Sequence, residues 1–402
     1  FNRSMKNVGY NGQYYYCYCT KSCHFRFIIE EVLQNGAHLE TSSSFDIDLI
    51  RKLHMQNQLD KNEIIICNGY KAGDYGKKVC KLINEGFKNV IPILDNKEEL
   101  KIYEDHIENG CKIGLRIATE EEPNFQFYTS RLGIRNSEAI QFYKDRLANN
   151  PKFKLEMLHF FVDTGIKDTI YYWGEFKKVL KTYCELKKIC PELNAIDIGG
   201  GLPIRNSLGF EYDYSYMINE IVKQIKIACQ DEGIPEPDIF SEFGKYTVGE
   251  SGATVFSVIG QKQQNDSELW YMIDNSLMNT LPDSWGIAER FILLPINKWY
   301  NDFTRVNIGG ITCDNSDFYN SEVNDNQVYL PAFSKNDPEP LYLGFFHTGA
   351  YQDALSGYGG IKHCLIPSPK HILVDRDEQG NLVDRVYLEE QQADDMLKIL
   401  GY

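Results

Sequence analysis

The sequence predicts an α/β fold: a (β/α)8, TIM-like barrel over residues 1–245, followed by a mainly β C-terminal domain over 246–402 that closes with a helix. Three observations point there. The first 245 residues alternate short β-branched or apolar runs with longer amphipathic stretches, eight times over. Polar residues with chemical potential gather where those runs end. After Lys245 the texture changes to many short β-like runs, punctuated by Gly, Asn, Asp and Pro.

The eight candidate strands are 13–20, 37–40, 63–67, 90–94, 112–117, 155–162, 195–198 and 238–242. Helical stretches at 25–35, 45–56, 74–86, 97–109, 137–149, 171–189 and 214–232 separate most of them. Within 171–189, Phe176, Val179, Leu180, Tyr183 and Leu186 recur at helical spacing. A doubly wound open sheet would give the same alternation. The strand ends favour the barrel. Lys21 follows the first strand, Glu40 ends the second and Asn68 follows the third. Arg116 lies at the end of the fifth, and Asp163 and Thr164 follow the sixth. Gly199, Gly200 and Gly201 follow the seventh, and Glu242 closes the eighth. In a parallel barrel all these ends share one face, where an active site is built. Beyond Lys245 the β-like runs are 254–259, 269–273, 291–295, 305–309, 327–330 and 341–346, and residues 389–400 read as a last helix packing back on the body.

The length of 402 residues suits a barrel plus a smaller domain, and a 43% hydrophobic, 13% aromatic composition excludes a disordered chain. No run of about 18 apolar residues exists, so no membrane-spanning helix is expected. Acidic residues outnumber basic ones 57 to 42, spread along the chain, which argues against nonspecific nucleic-acid binding. The 11 cysteines are odd in number, scattered, and include no CxxC pair at zinc spacing. They read as reduced thiols, mostly buried, of a cytoplasmic protein with no metal site. The chain starts at Phe1 without a signal-peptide pattern, and residues upstream are expected to be missing from it.

Five motifs carry chemistry. In Ala195-Ile-Asp-Ile-Gly199-Gly200-Gly201-Leu-Pro203, three glycines after an apolar strand let the backbone approach an anion with N–H groups as donors. Walker and Rossmann spacings do not fit, and a plain tight turn is the bland alternative. Phe240-Ser-Glu242-Phe-Gly244-Lys245 puts a carboxylate at a strand end before a glycine and a cation. Such a set could hold a protonated ring nitrogen and a phosphate, whereas Glu242 by itself reads as a surface or salt-bridged carboxylate. Tyr18-Cys19-Thr20-Lys21 places a lysine just past a Tyr-rich strand. It could form a Schiff base in a suitable site, or be an ordinary solvated lysine. Thr312-Cys313-Asp314-Asn-Ser-Asp317 sets a thiol beside two carboxylates, which could be an acid or a substrate reader, or a buried thiol in an acidic turn. Phe345-Phe-His347-Thr-Gly349-Ala350-Tyr351 gives a tyrosine at a glycine turn, which read alone is a core tyrosine.

Taken together, these motifs resemble fold-type III pyridoxal-phosphate decarboxylases, the alanine-racemase-fold group that acts on basic amino acids. The order Tyr-x-x-Lys, Gly-Gly-Gly, Glu-x-Gly-(Lys/Arg), Cys-Asp, Gly-Ala-Tyr matches over nearly the whole chain. Ile66-Cys-Asn-Gly-Tyr-Lys71 and Leu158-His-Phe look most like biosynthetic arginine decarboxylases. Cys313-Asp314 and Thr348-Gly-Ala-Tyr351 are shared with ornithine decarboxylases.

The resemblance implies pyridoxal 5′-phosphate as cofactor, held by Lys21 as an internal aldimine. It implies Glu242 at the pyridine nitrogen, and Gly200, Gly201, Gly244, Lys245 and Tyr351 around the phosphate. Cys313, from the second subunit of a homodimer with shared active sites, would protonate the α-carbon. Asp314 and Asp317 would meet the substrate's distal cation, and Arg116 matches an arginine near the cofactor. Racemases of this fold put an arginine opposite the ring nitrogen, so Glu242 favours decarboxylation. Phe161 stands where the family usually stacks a histidine on the ring, with His159 two residues earlier. Lys245 stands where arginine is usual, and Glu40 where aspartate is common. The family's β domain also uses a segment before the barrel. The implied reaction is conversion of L-arginine to agmatine in polyamine synthesis. Ornithine, lysine, diaminopimelate and carboxynorspermidine decarboxylases are the enzymatic alternatives, and an inactive regulatory homologue is the non-enzymatic one.

Overall fold

The computed structural model describes residues 1–120, 129–322 and 327–402. These divide into two compact units. One comprises 1–203 and 211–247, the other 204–210 and 248–402. The short segment 204–210 thus counts with the second unit, although chain order puts it among the barrel residues.

The first unit is a closed barrel of eight parallel strands in sequential order. They are β1 (Tyr14–Cys19), β2 (His38–Thr41), β3 (Ile64–Cys67), β4 (Asn89–Leu94), β5 (Cys111–Ile117), β6 (Phe153–Phe160), β7 (Ala195–Asp197) and β8 (Asp238–Ser241). The barrel closes where β1 pairs with β8, Tyr14 opposite Ile239 and Tyr16 opposite Ser241. This excludes the open sheet and agrees with all eight strand readings to within two residues at either end. Cys17, Ile66, Ile91, Ile93, Met157, Ala195 and Phe240 fill the interior from six different strands. Their alternation with outward-facing residues is the period-2 pattern of the sequence.

Helices follow most strands. Ile170–Lys187 and Tyr214–Asp231 each bury one apolar stripe against the barrel unit. The helix Ser44–Met55 begins with a reciprocal cap. Ser43 Oγ accepts from the Asp46 N–H at 3.2 Å, and Asp46 Oδ2 accepts from the Ser43 N–H at 2.9 Å. That cap fixes the turn after β2, where Glu40 and Ser42 sit. A first helix, Asn2–Val8, lies outside the sequence reading.

In the second unit six strands form one sheet in the order β11-β14-β9-β10-β12-β13. Their ranges are β9 (Ala253–Asn265), β10 (Glu268–Ile273), β11 (Ile292–Pro295), β12 (Phe303–Gly309), β13 (Val328–Pro331) and β14 (Leu341–Phe346). A core of Phe256, Val258, Tyr271, Ile273, Val306, Ile308, Leu341, Leu343 and Phe345 lines it. A separate hairpin, β15 (His371–Arg376) and β16 (Leu382–Leu388), escapes the sequence reading. Both its strands are mostly exposed, so they lack the buried-face alternation that marks the others. The last helix is Ala393–Leu400, and Met396 is its buried residue.

Candidate active site

The parallel barrel carries the ends of β1, β2, β3, β6, β7 and β8 to one face, and the side chains there form a connected polar cluster. Lys21, one turn past β1, reaches Glu40 at the end of β2. Its Nζ lies 2.7 Å from Glu40 Oε2 and 3.2 Å from Ser42 Oγ. Ser42 Oγ in turn donates to Glu40 Oε1 at 2.9 Å. The Glu40 side chain is 0% exposed, whereas that of Lys21 is 43% exposed. Burial opposes the Lys21 ammonium, but the negative charge available at Cys19, Glu40 and Glu242 outweighs it and holds its pKa well above the ordinary lysine value.

Glu242, just past β8, is buried and anchored at both oxygens. Asn68 Nδ2 donates to Oε1 at 2.7 Å, and His159 Nε2 lies 3.3 Å from Oε2. Burial would raise its pKa; His159 first, then Lys21 and Asn68, more than offset that and hold it at about 2. Asp197, at the end of β7, shares this buried cluster with His159 and Glu242. Burial first, and the Glu242 charge second, push its pKa well above the usual carboxylate range. Two buried carboxyls side by side cannot both ionise cheaply, so Glu242 is the anion and Asp197 the neutral acid.

The glycine turn lies between them. Asp197 Oδ1 accepts from the Gly199 N–H at 2.8 Å, and the Glu242 N–H donates to Gly199 O at 2.8 Å. Gly201 needs its freedom, with φ +104 and a Cβ position 3.0 Å from Gly165 Cα. At Gly200 a Cβ would stand 2.6 Å from Glu242 O. The N–H groups of Gly200 and Gly201 have no hydrogen-bond partner among the described residues. Phe161 flanks this turn, with its ring Cδ2 3.2 Å from the Cβ position of Gly199. Its ring also lies 5.9 Å from the Arg116 guanidinium. At Gly244 the backbone packs against Ser22 and Cys19, with a Cβ position 2.9 Å from Cys19 Cβ. Cys19 Sγ donates to Glu242 O at 3.1 Å, tying the Lys21 turn to the Glu242 turn. Lys245 follows, half-buried, at the start of the helix Gly244–Val248.

Sequence reasoning singled out Lys21, Glu242 and the glycines but gave Asn68, Asp197 and His159 no role. Their placement at strand ends was the available signal. It was not enough, because a buried second layer depends on which side chains turn inward. Lys71 belongs to the same supporting layer. Fully buried, it donates to Gly69 O at 2.6 Å and pairs with Glu99 at 3.1 Å, fixing the loop that carries Asn68.

The remaining candidates lie in the second unit. Cys313 and Asp314 are exposed on the loop after β12. The Cys364 thiol, 3.6 Å away, raises the pKa of Cys313 and keeps it protonated. Hydrogen bonds from Ser316 lower that of Asp314. Asp317 is buried, and both its oxygens are taken. Oδ1 accepts from Ser276 Oγ and the N–H groups of Leu277 and Met278, at 3.1, 2.9 and 3.3 Å. Oδ2 accepts from Thr312 N–H at 3.2 Å and Thr312 Oγ1 at 2.7 Å. Five donors make Asp317 the organiser of the Cys313 loop. Tyr351 sits in a left-handed conformation, φ +68, two residues after Gly349.

These residues fit pyridoxal phosphate. A buried, ionised carboxylate suits a protonated ring nitrogen, and two unpaired N–H groups in a glycine turn suit a phosphate. A lysine paired to a buried carboxylate is held in a fixed position at the same face.

Residues 1–249 match the family "Pyridoxal-dependent decarboxylase, pyridoxal binding domain". The biosynthetic arginine decarboxylase of Prochlorococcus marinus is 20% identical over 100% of this chain and 79% of its own length. The crystal structure of the biosynthetic arginine decarboxylase from Campylobacter jejuni superimposes with a TM-score of 0.78 at 20% identity, covering 100% of this chain and 80% of that one. Diaminopimelate decarboxylase from Helicobacter pylori, complexed with L-lysine, gives 0.77 at 16% identity over 99% and 92% of the two chains. At these identities the structural likeness establishes the fold.

Proposed function

Because the chain belongs to the pyridoxal-dependent decarboxylase family, with pyridoxal 5′-phosphate as its cofactor, we propose that it converts L-arginine to agmatine and carbon dioxide, a step in polyamine synthesis. The single observation that carries the decarboxylase reading is the buried Glu242 carboxylate held at about 2 between His159 and Asn68. Arginine as substrate is supported by the motifs around Asn68 and His159, and by the whole-chain likeness to proteins named arginine decarboxylases.

When bound, the cofactor supplies a protonated pyridine ring that takes up the electron pair left by departing carbon dioxide. Glu242 keeps the proton on that ring nitrogen by charge pairing. Lys21 would hold the cofactor covalently. Its ammonium must first lose a proton to solvent, and until then the Glu40 carboxylate, 2.7 Å from Nζ, holds it charged and in place. Gly200 and Gly201 offer their N–H groups to the phosphate; Gly244 leaves room, and Lys245 and Tyr351 add a cation and a hydroxyl. Phe161 gives the ring an apolar wall. Cys313 moves its thiol proton to the α-carbon, and Asp314 receives the distal cation of the substrate. In a homodimer with shared sites, those two come from the second subunit. An acidic distal partner suits a guanidinium and disfavours a second carboxylate such as that of diaminopimelate.

With added cofactor, agmatine and carbon dioxide should form in equal amounts from L-arginine, and a Lys21→Ala variant should form neither. Decarboxylation by Lys21→Ala at the wild-type rate would overturn the mechanism.

A further inference from the structure

Cys313 has two neighbours that the reaction does not use. Cys364 Sγ lies 3.6 Å from Cys313 Sγ, and a ring nitrogen of His363 joins them so that all three ligand atoms lie within 4.8 Å of one another. All three residues are exposed. In extended backbone, adjacent side chains point to opposite faces. Here Cys364 is left-handed, φ 55 and ψ 20, followed by Leu365 at φ 52, and His363 and Cys364 reach the same point.

The loops that carry these ligands are fixed from one place. The segment Ser276–Asn279 donates to Asp317, which holds Thr312 and so the Cys313 turn. In the same segment Asn279 Nδ2 donates to His363 O at 2.8 Å. The ligands are therefore held in place before anything binds, which lowers the cost of binding.

We propose that Cys313, His363 and Cys364 form a three-ligand site for a thiophilic divalent cation, zinc. Two sulfurs at Zn–S distances near 2.3 Å in a tetrahedron stand about 3.8 Å apart, close to the observed 3.6 Å. A disulfide would require about 2.05 Å and an oxidant. On binding, two S–H bonds break, two Zn–S bonds and one Zn–N bond form, and both protons leave to solvent. Two thiolates balance the ion's charge, no electrons move, and the fourth position stays open. The sequence hides this site because Cys313 and Cys364 are 51 residues apart, outside any CxxC spacing. Its consequence rests on the proton-donor role given to Cys313 above. A zinc-bound thiolate has no proton to give, so zinc silences the enzyme.

The test uses the full chain with bound cofactor, titrated with cobalt(II) as a spectroscopic stand-in and with zinc against a chromophoric chelator. The site predicts one ion per chain and a thiolate-to-cobalt charge-transfer band. Cys364→Ser and His363→Ala should each lose the band and weaken zinc binding by more than the roughly 10–100-fold that loss of an outer-shell contact costs. Retained cofactor absorbance shows that these variants are folded. No band, or equal affinity in the variants, overturns the site. Zinc should abolish carbon dioxide release in wild type at concentrations where Cys364→Ser keeps its own zinc-free rate. Stoichiometric zinc with undiminished release overturns the silencing, and with it the proton-donor role, while the spectrum judges the site independently.

Discussion

His159 Nε2 stands 3.3 Å from Glu242 Oε2, and both groups are buried. The imidazole is a positioning residue: it acts through the carboxylate. It holds Glu242 ionised in a place where burial would neutralise it.

The Glu242 pKa of about 2 in the folded chain lies below its ordinary value near 4.5. Its ionisation therefore stabilises the fold above pH 4.5, and that contribution is lost as pH falls through 2. His159→Phe should move this acid limb upward and cost the apoprotein roughly 1–3 kcal/mol, the penalty for a buried acceptor left unpaired. Denaturant unfolding between pH 2 and 6 checks both. A merely space-filling histidine would leave the acid limb in place.

Asp197 behaves oppositely. Its folded pKa is raised, so its contribution to stability is greatest below the ordinary value and falls as pH rises toward the folded value. Asp197→Asn keeps an acceptor for the Gly199 N–H and never ionises in the unfolded chain. It should unfold at higher denaturant than wild type at pH 7 and converge with it near pH 3. Lower stability at pH 7 would contradict the neutral-acid assignment.

Glu40 raises the pKa of Lys21 through its charge and its 2.7 Å contact. Glu40→Gln removes that charge, so the pKa of Lys21 falls. The pH profile for covalent cofactor attachment, followed by absorbance, should move to lower pH. A profile that stays in place would show that Glu40 does not set the lysine's charge.

Glu242→Gln keeps the shape and removes the charge that the proposed function sets opposite the ring nitrogen. The rate of decarboxylation should fall by roughly 10–150-fold, the equivalent of a charge-assisted hydrogen bond of about 1.5–3 kcal/mol. A change confined to KM would place Glu242 in binding only.

What the sequence made legible follows from physics that is local in the chain. Alternation marked β1 to β8 because each buries one face in a closed barrel, and Lys21, Glu242 and the glycine turn were visible because strand ends share a face. His159 was legible as a position but not as a partner, since its 3.3 Å contact joins residues 83 apart. Asp317 was legible as a carboxylate close to Cys313 but not as the acceptor of five donors that holds the loop, because those partners include a segment some 40 residues earlier. The β15–β16 hairpin stayed hidden because exposed strands carry no hydrophobic period.

The most direct test of the substrate is carbon dioxide release with added pyridoxal phosphate, comparing kcat/KM for L-arginine, L-ornithine, L-lysine and meso-diaminopimelate. The account predicts that arginine is preferred, and that Asp314→Ala erodes the preference through KM. Preferential release from another of the four would contradict arginine as substrate, and no release from any, with cofactor bound, would contradict the decarboxylase reading for all four.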